Sequence, residues 1–296
     1  MCRMELDYIK LKAIKPAIAG YIRQSQSLLK ISVVPDEKEV HDIRVLMKKS
    51  RAALKLVGPQ LEIGSYNRDF LAFREVGRVM CSWRETSVQR KTLKELRKEN
   101  PDIFLQLHDN ENLAALCRKT DLIPEMSEET KALLELINDL LNKTGYRLRF
   151  QTMNKIDPRL LIKELELTYN AVADIYLRCR YKPKPDKLHE LRKRAKDFLY
   201  QLYFFRPLNP SIIKELEKRL DLMTRNLGKF NDLTQLVREL GYLYPDNSNP
   251  PALNELIIKI REKQDSYLAK VWPPAYKVFC PGQKLVNILG FKLLVI

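Results

Sequence analysis

Apolar side chains recur every three or four positions through most of this chain, the spacing that gathers them on one face of an α-helix. The period predicts helices near 6–30, 37–57, 66–82, 84–98, 101–118, 127–149, 158–181, 185–205, 210–227, 230–241 and 251–271. Helix-breaking residues fall where such a string needs them: Pro35, Gly58-Pro59, Pro101, Pro124, Pro158, Pro183, Pro185, Pro207, Pro210, Gly241, Pro245 and Pro250-Pro251. Asp36 stands as an N-cap for the helix at 37, and Asn209 precedes Pro210 in the same role. Residues 151–157 read as a joint between two halves. Pro273-Pro274 predicts a stop, and 285–296 fits either a strand or a docked helix. The expected fold class is therefore all-α.

Composition supports this. Glycine makes up 9 of 296 residues, about 3%, against a usual ~7%. Charge adds a second constraint. Lys plus Arg number 53 against 37 Asp plus Glu, a formal net charge of +16. Residues 1–150 hold 27 basic and 21 acidic side chains, and 151–296 hold 26 and 16, so both halves are positive. A field of that sign favours polyanionic partners such as polyphosphate, nucleic acid or an anionic surface. The five cysteines are odd in number and scattered, with neither metal-ligand nor redox spacing, which suits reduced thiols in a cytoplasm. No stretch has the length of a signal-peptide core or a membrane span, so neither secretion nor membrane insertion is expected.

Two of the three histidines open the same phrase. His41-Asp42-Ile43-Arg44 is followed by Lys48 and Lys49, and His189-Glu190-Leu191-Arg192, 148 positions later, by Lys196. A second anchor recurs at nearly the same offset: Arg84-Glu85 in the first half and Asn231-Asp232, 147 positions on. Two anchors with matching offsets point to an internally duplicated chain, halves 1–150 and 151–296 of one body.

At 100 degrees per residue, His41, Arg44, Lys48, Arg51 and Lys55 lie in a stripe about 80 degrees wide, with Lys49 on its border. Ile43, Met47, Leu54 and Val57 occupy the opposite face and supply the core contact. In the second copy His189, Arg192 and Lys196 form the stripe, Lys193 borders it and Tyr200 continues it. Like charges at this spacing repel and weaken an isolated helix. They either face an anion or stay well solvated, and if the halves are related by a pseudo-twofold the two stripes can line one cleft.

These phrases resemble the paired signatures of the CHAD domain, the conserved histidine α-helical domain. The likeness rests on His-x-x-Arg-x-x-x-Lys-Lys-x-Arg at 41–51, Leu-His-Glu-Leu-Arg-x-x-x-Lys-x-x-x-Tyr at 188–200, Arg84-Glu85, and Leu227-Gly228-x-x-Asn231-Asp232. It covers nearly the whole chain, 1–296, as a single domain. The resemblance implies two four-helix-bundle-like halves around a basic central cleft. It further implies non-catalytic binding of inorganic polyphosphate, often at polyphosphate granules. It assigns binding to His41, Arg44, Lys48, Lys49, Arg51, Lys55, Arg84, His189, Arg192, Lys193, Lys196 and Tyr200. Departures are visible: lysines replace common arginines in the first motif, Cys81 stands where the second copy has Gly228, and Leu199 and Gln201 flank the tyrosine. Lysine keeps the charge but loses the planar fork that grips phosphate oxygens.

Glu85, Asn231 and Asp232 are expected to orient the motif cations from behind rather than to hold a metal. No metal site or cofactor is expected. The histidines divide evenly between a ligand contact and a neutral interhelical role, and His108, which has no partner motif, reads as surface or packing. Charge alone does not separate polyphosphate from single-stranded RNA or DNA bound in the same cleft. A metal-dependent polyphosphatase is the weakest reading, because no carboxylate cluster or phosphate loop accompanies the stripes.

Overall fold

A computed structural model describes residues 10–29, 33–107, 114, 116, 126–151, 153, 156–243 and 250–289. Every regular element in them is a helix, so the fold is all-α. In chain order these are α1 (Ile14–Leu28), α2 (Glu37–Val57), α3 (Ile63–Val79), α4 (Cys81–Glu99), α5 (Pro101–Gln106), α6 (Glu128–Phe150), α7 (Pro158–Tyr181), α8 (Pro185–Phe205), α9 (Pro210–Leu243), α10 (Pro251–Phe279) and α11 (Leu285–Leu289). A single 3-10 turn, Gly58–Gln60, follows α2.

The helices close into two rings. α1, α2, α3 and α6 pack in that order around the first, and α7, α8, α9 and α10 around the second. The repeated order is compatible with duplication. The rings meet where α2 lies against α8 and α7, so the two stripe-bearing helices form the seam. One contiguous apolar core runs through both rings, with Ile43, Met47 and Leu54 from α2 meeting Leu191, Phe198 and Leu202 from α8. A smaller cluster of Leu93, Leu96, Ile103, Leu236 and Leu256 holds α4 and α5 onto α9 and α10.

Local chemistry explains the boundaries near the seam. The Asp36 side chain accepts from the Glu39 amide at 2.7 Å, and the Glu39 carboxylate accepts in return from the Asp36 amide at 2.9 Å, a complete capping box that fixes the start of α2. Pro185 occupies the first turn of α8, where a missing N–H leaves no bond unmade. Asn209 Oδ1 accepts from the Ile212 amide at 3.4 Å and caps α9 as expected.

Elsewhere packing overrides punctuation. α9 runs unbroken through Gly228, where a stop near 227 was expected; one glycine weakens a helix by only ~1 kcal/mol, less than the burial of Met223, Leu227 and Leu233 returns. α10 likewise carries Pro273 and Pro274 inside it, because Val271, Ala275, Val278 and Phe279 beyond the expected stop are buried. α1 begins at Ile14, with 10–13 outside the helix and 6–9 outside the described residues. α5 ends at Gln106, and of the rest of the expected helix 101–118 Ala114 and Leu116 are helical while 108–113, 115, 117 and 118 lie outside the described residues. His108 and 290–296 lie outside the described residues, and the remainder of the ambiguous tail is helical.

Candidate functional site

The stripes of α2 and α8 meet at the seam, and the interface between them is polar as well as apolar. Gln201 of α8, 1% exposed, donates to the Ala52 carbonyl of α2 at 3.2 Å. Three residues on, Lys55 Nζ reaches Asp197 Oδ2 at 2.6 Å. These two ties run in opposite senses along the helices, so α2 and α8 cross antiparallel and bring their basic positions toward one crossing point.

Lys48 lies at its centre. Arg192, Arg44, Arg51 and Lys196 all act on it electrostatically, and among the described residues no carboxylate stands within ion-pair distance. Burial first, then these four cations, push its pKa from 10.5 down to about 8. Arg44 donates through Nη1 to the Gly77 carbonyl of α3. Arg192 packs closely over Gly228 of α9: a Cβ there would stand 3.2 Å from its Nε and 3.3 Å from its Nη2, so a larger residue would push the guanidinium back by a few tenths of an ångström. Arg192 Nε and Arg51 Nε are both enclosed and find no acceptor among the described residues. Buried donors in that condition are costly unless a ligand or water serves them.

The neighbouring cations differ in how far they are already satisfied. Lys196 Nζ pairs with Asp221 Oδ1 of α9 at 3.1 Å, and its pKa is lowered by burial despite that partner. Lys55 is paired with Asp197 and also lies 5.8 Å from the Phe70 ring. Arg84 of α4 stands within electrostatic reach of Asp232, Arg44 and Arg192, and burial lowers its pKa. Asp232 is half-buried; desolvation raises its carboxyl above the usual value, against the pull of Arg192 and Arg84. Tyr200 packs against the core with its hydroxyl pushed up to about 12 by burial.

Several expected residues stand apart from the centre. Lys49 turns toward α1, 5.7 Å from the Tyr21 ring. Lys193 is exposed beside His189. His41 is exposed on the rim near Arg84, and its pKa is lowered first by burial and then by Arg84. His189 has its Nδ1 enclosed without a partner; burial and Lys193 lower its pKa while a hydrogen bond with Asn231 opposes them. Both imidazoles are thus shifted toward the neutral form. Glu85 accepts from the Cys81 thiol at 3.1 Å, and that thiol in turn neighbours Arg44. It thus reaches a motif cation through Cys81, whereas Asp232 lies within electrostatic reach of two.

The sequence reading missed Asp197 and Asp221, the carboxylates that neutralise Lys55 and Lys196, and the Gly77 carbonyl. Asp197 sits about 80 degrees from His189 around α8, just off the stripe, which was a usable signal. Nothing in the sequence near Asp221 or Gly77 marked them. Among the described residues no group of three His, Cys, Asp or Glu side chains could hold a metal. No described helix is long and apolar enough to cross a membrane.

The CHAD domain sequence model matches residues 17–241, which takes in both stripes, Arg84-Glu85 and Asn231-Asp232. The chain belongs to the CHAD domain family. A crystal structure of the CHAD domain from the plant Ricinus communis is similar at 16% identity and a TM-score of 0.48, covering 98% of this chain and 96% of that one. No curated protein matches the sequence. Within this CHAD domain the matched segment begins in the first turn of α1, takes in the rest of the first ring and ends near the end of α9, so α10 completes the second ring beyond it.

Proposed function

We propose that this CHAD domain binds inorganic polyphosphate, without turning it over, in the cleft where α2 and α8 cross. The observation that carries the reading is Lys48. It is a half-buried ammonium ringed by Arg44, Arg51, Arg192 and Lys196 with no carboxylate of its own among the described residues. A fold gains no stability from such an arrangement, which makes sense once an anion completes it. Polyphosphate is flexible, carries about one charge per phosphate and has no bases, so cations and hydrogen-bond donors suffice. The enclosed Nε groups of Arg51 and Arg192 are donors of that kind. Arg84 extends the cationic surface on one side, and Lys55, paired with Asp197, borders it on the other.

Cytoplasmic residence, at polyphosphate granules, follows from the same reading. The single-stranded nucleic-acid alternative would use the same cations but needs an aromatic face open for stacking. Tyr200, the aromatic of the stripe, is packed on the core instead. The test is a competition titration of polyphosphate against single-stranded RNA at matched phosphate concentration and two salt concentrations. Polyphosphate should displace RNA at both, and its log Kd should rise with log salt at a slope near ~3, the value for four or five phosphate contacts. RNA competing on equal terms would defeat the proposal.

A further inference from the structure

A second cationic region lies on the first ring, between α1 and α6, where a groove of about 810 Å³ opens. None of the residues named above for the cleft lines it, and α6 is diagonal to α2 in the ring. Its floor is apolar, formed by Ala19, Ile22, Leu141 and Leu148. Its sides carry Lys15 and Arg23 from α1 and Lys143, Arg147 and Arg149 from α6, with no carboxylate in the lining.

Three of these cations are already partnered, Lys143 by Asp139 at 2.7 Å. Lys15 Nζ donates to the carbonyls of Arg149 and Gln151 at 2.9 Å each. Arg147 is fixed by Asp69, 2% exposed behind it, at 2.9 Å and by Thr144 at 2.9 Å. Arg23 and Arg149 are exposed and have no ion-pair partner among the described residues. Tyr146 also lines the groove, 63% exposed, with its ring 5.0 Å from that of Phe150. Gln26 Nε2 donates to Asn142 Oδ1 at 2.6 Å, which leaves Gln26 Oε1 to accept and Asn142 Nδ2 to donate.

An inorganic chain would use the cations and leave the apolar floor and Tyr146 idle. An uncharged aromatic compound would do the reverse. A ligand that engages both has a planar, weakly polar ring and at least two negative charges. We propose that the α1–α6 groove binds a nucleoside di- or triphosphate, with the base on the apolar floor beside Tyr146 and the phosphates at Arg23 and Arg149. The volume is within the usual range for small-molecule sites, and free amide groups at Gln26 and Asn142 suit a base edge. This proposal is independent of the polyphosphate reading, because the two sites share no residue.

The experiment is a fluorescence titration of the full chain with mant-ATP. Saturable binding is expected, weakened about tenfold or more in Arg23→Glu/Arg149→Glu, since charge-assisted contacts are lost. Tyr146→Ala should weaken it about fivefold or more. Arg44→Glu/Arg192→Glu should leave it unchanged, and inorganic tripolyphosphate should compete much less well than ATP. All three groove side chains are exposed, so these variants fold; a thermal melt checks this. Absence of saturation overturns the proposal. So does equal competition by tripolyphosphate, or loss of binding in the cleft variant with retention in the groove variants.

Discussion

Replacing Lys48 with methionine keeps an unbranched apolar stem of similar length and removes only the charge. In the folded protein that charge is held among Arg192, Arg44, Arg51 and Lys196, and its pKa falls from 10.5 to about 8. At ~1.4 kcal/mol per decade, keeping Lys48 protonated at pH 7 costs the fold about 3 kcal/mol. The sign follows from linkage. Between about pH 8 and 10.5 the unfolded chain binds a proton at Lys48 that the folded chain does not, so wild-type stability rises with pH through that window. Below pH 8 the penalty is present in full. Lys48→Met should therefore unfold several degrees higher than wild type at pH 7, given ~2–4 °C per kcal/mol in a chain approaching this size. The gain should fade as pH approaches 10.5, and polyphosphate affinity should drop at the same time. Denaturant melts at pH 7 and pH 10 measure both the gain and its decay. Equal stability of the two proteins at pH 7, with no difference in pH dependence, would show that Lys48 is an ordinary solvated lysine and would refute the reasoning.

Other substitutions probe the partners of this charge. Asp197→Asn frees Lys55 from its 2.6 Å pair and removes a carboxylate from the cleft, so polyphosphate should bind several-fold more tightly by calorimetry. Its effect on stability should stay under ~1 kcal/mol, as for partly exposed pairs. Gly228→Ala places a methyl group 3.2 Å from Arg192 Nε; the helix gains up to ~1 kcal/mol while the displaced guanidinium weakens polyphosphate binding, a split visible by comparing melts with titrations. In wild type, polyphosphate binding above pH 8 should take up a proton, because bound phosphate restores the charge on Lys48. Calorimetry in buffers of different ionisation enthalpy detects that uptake, and its absence would place the ligand away from Lys48.

The motif helices were readable because their ends are chemically marked. The spacing predicts 37–57, 158–181 and 185–205, and α2, α7 and α8 occupy those residues. Asp36 with Glu39, and prolines at 158 and 185, are local signals that need no tertiary context. What was misread depends on partners distant in sequence. Gly228 interrupts nothing because buried residues anchor α9 to the core on both sides of it, and Pro273-Pro274 sit inside α10 for the same reason. Helical arithmetic put Arg44 and Lys48 on one stripe and Arg192 on the other, and the structure brings Arg44 and Arg192 both within electrostatic reach of Lys48. It could not show which way Lys49, a border residue, would turn; the structure points it toward Tyr21 of α1. It also could not show that Asp221 of α9 already partners Lys196, a pairing set by how α8 and α9 pack.

Arg44 and Arg192 hold corresponding places in the two phrases and flank Lys48 from either helix. The direct measurement is an isothermal titration of long-chain polyphosphate into wild type and into Arg44→Glu/Arg192→Glu, with circular dichroism on both. Saturable binding by wild type, lost in a double variant that keeps its helicity, is the predicted result. Undiminished affinity in that helical variant would contradict the assignment of the cleft.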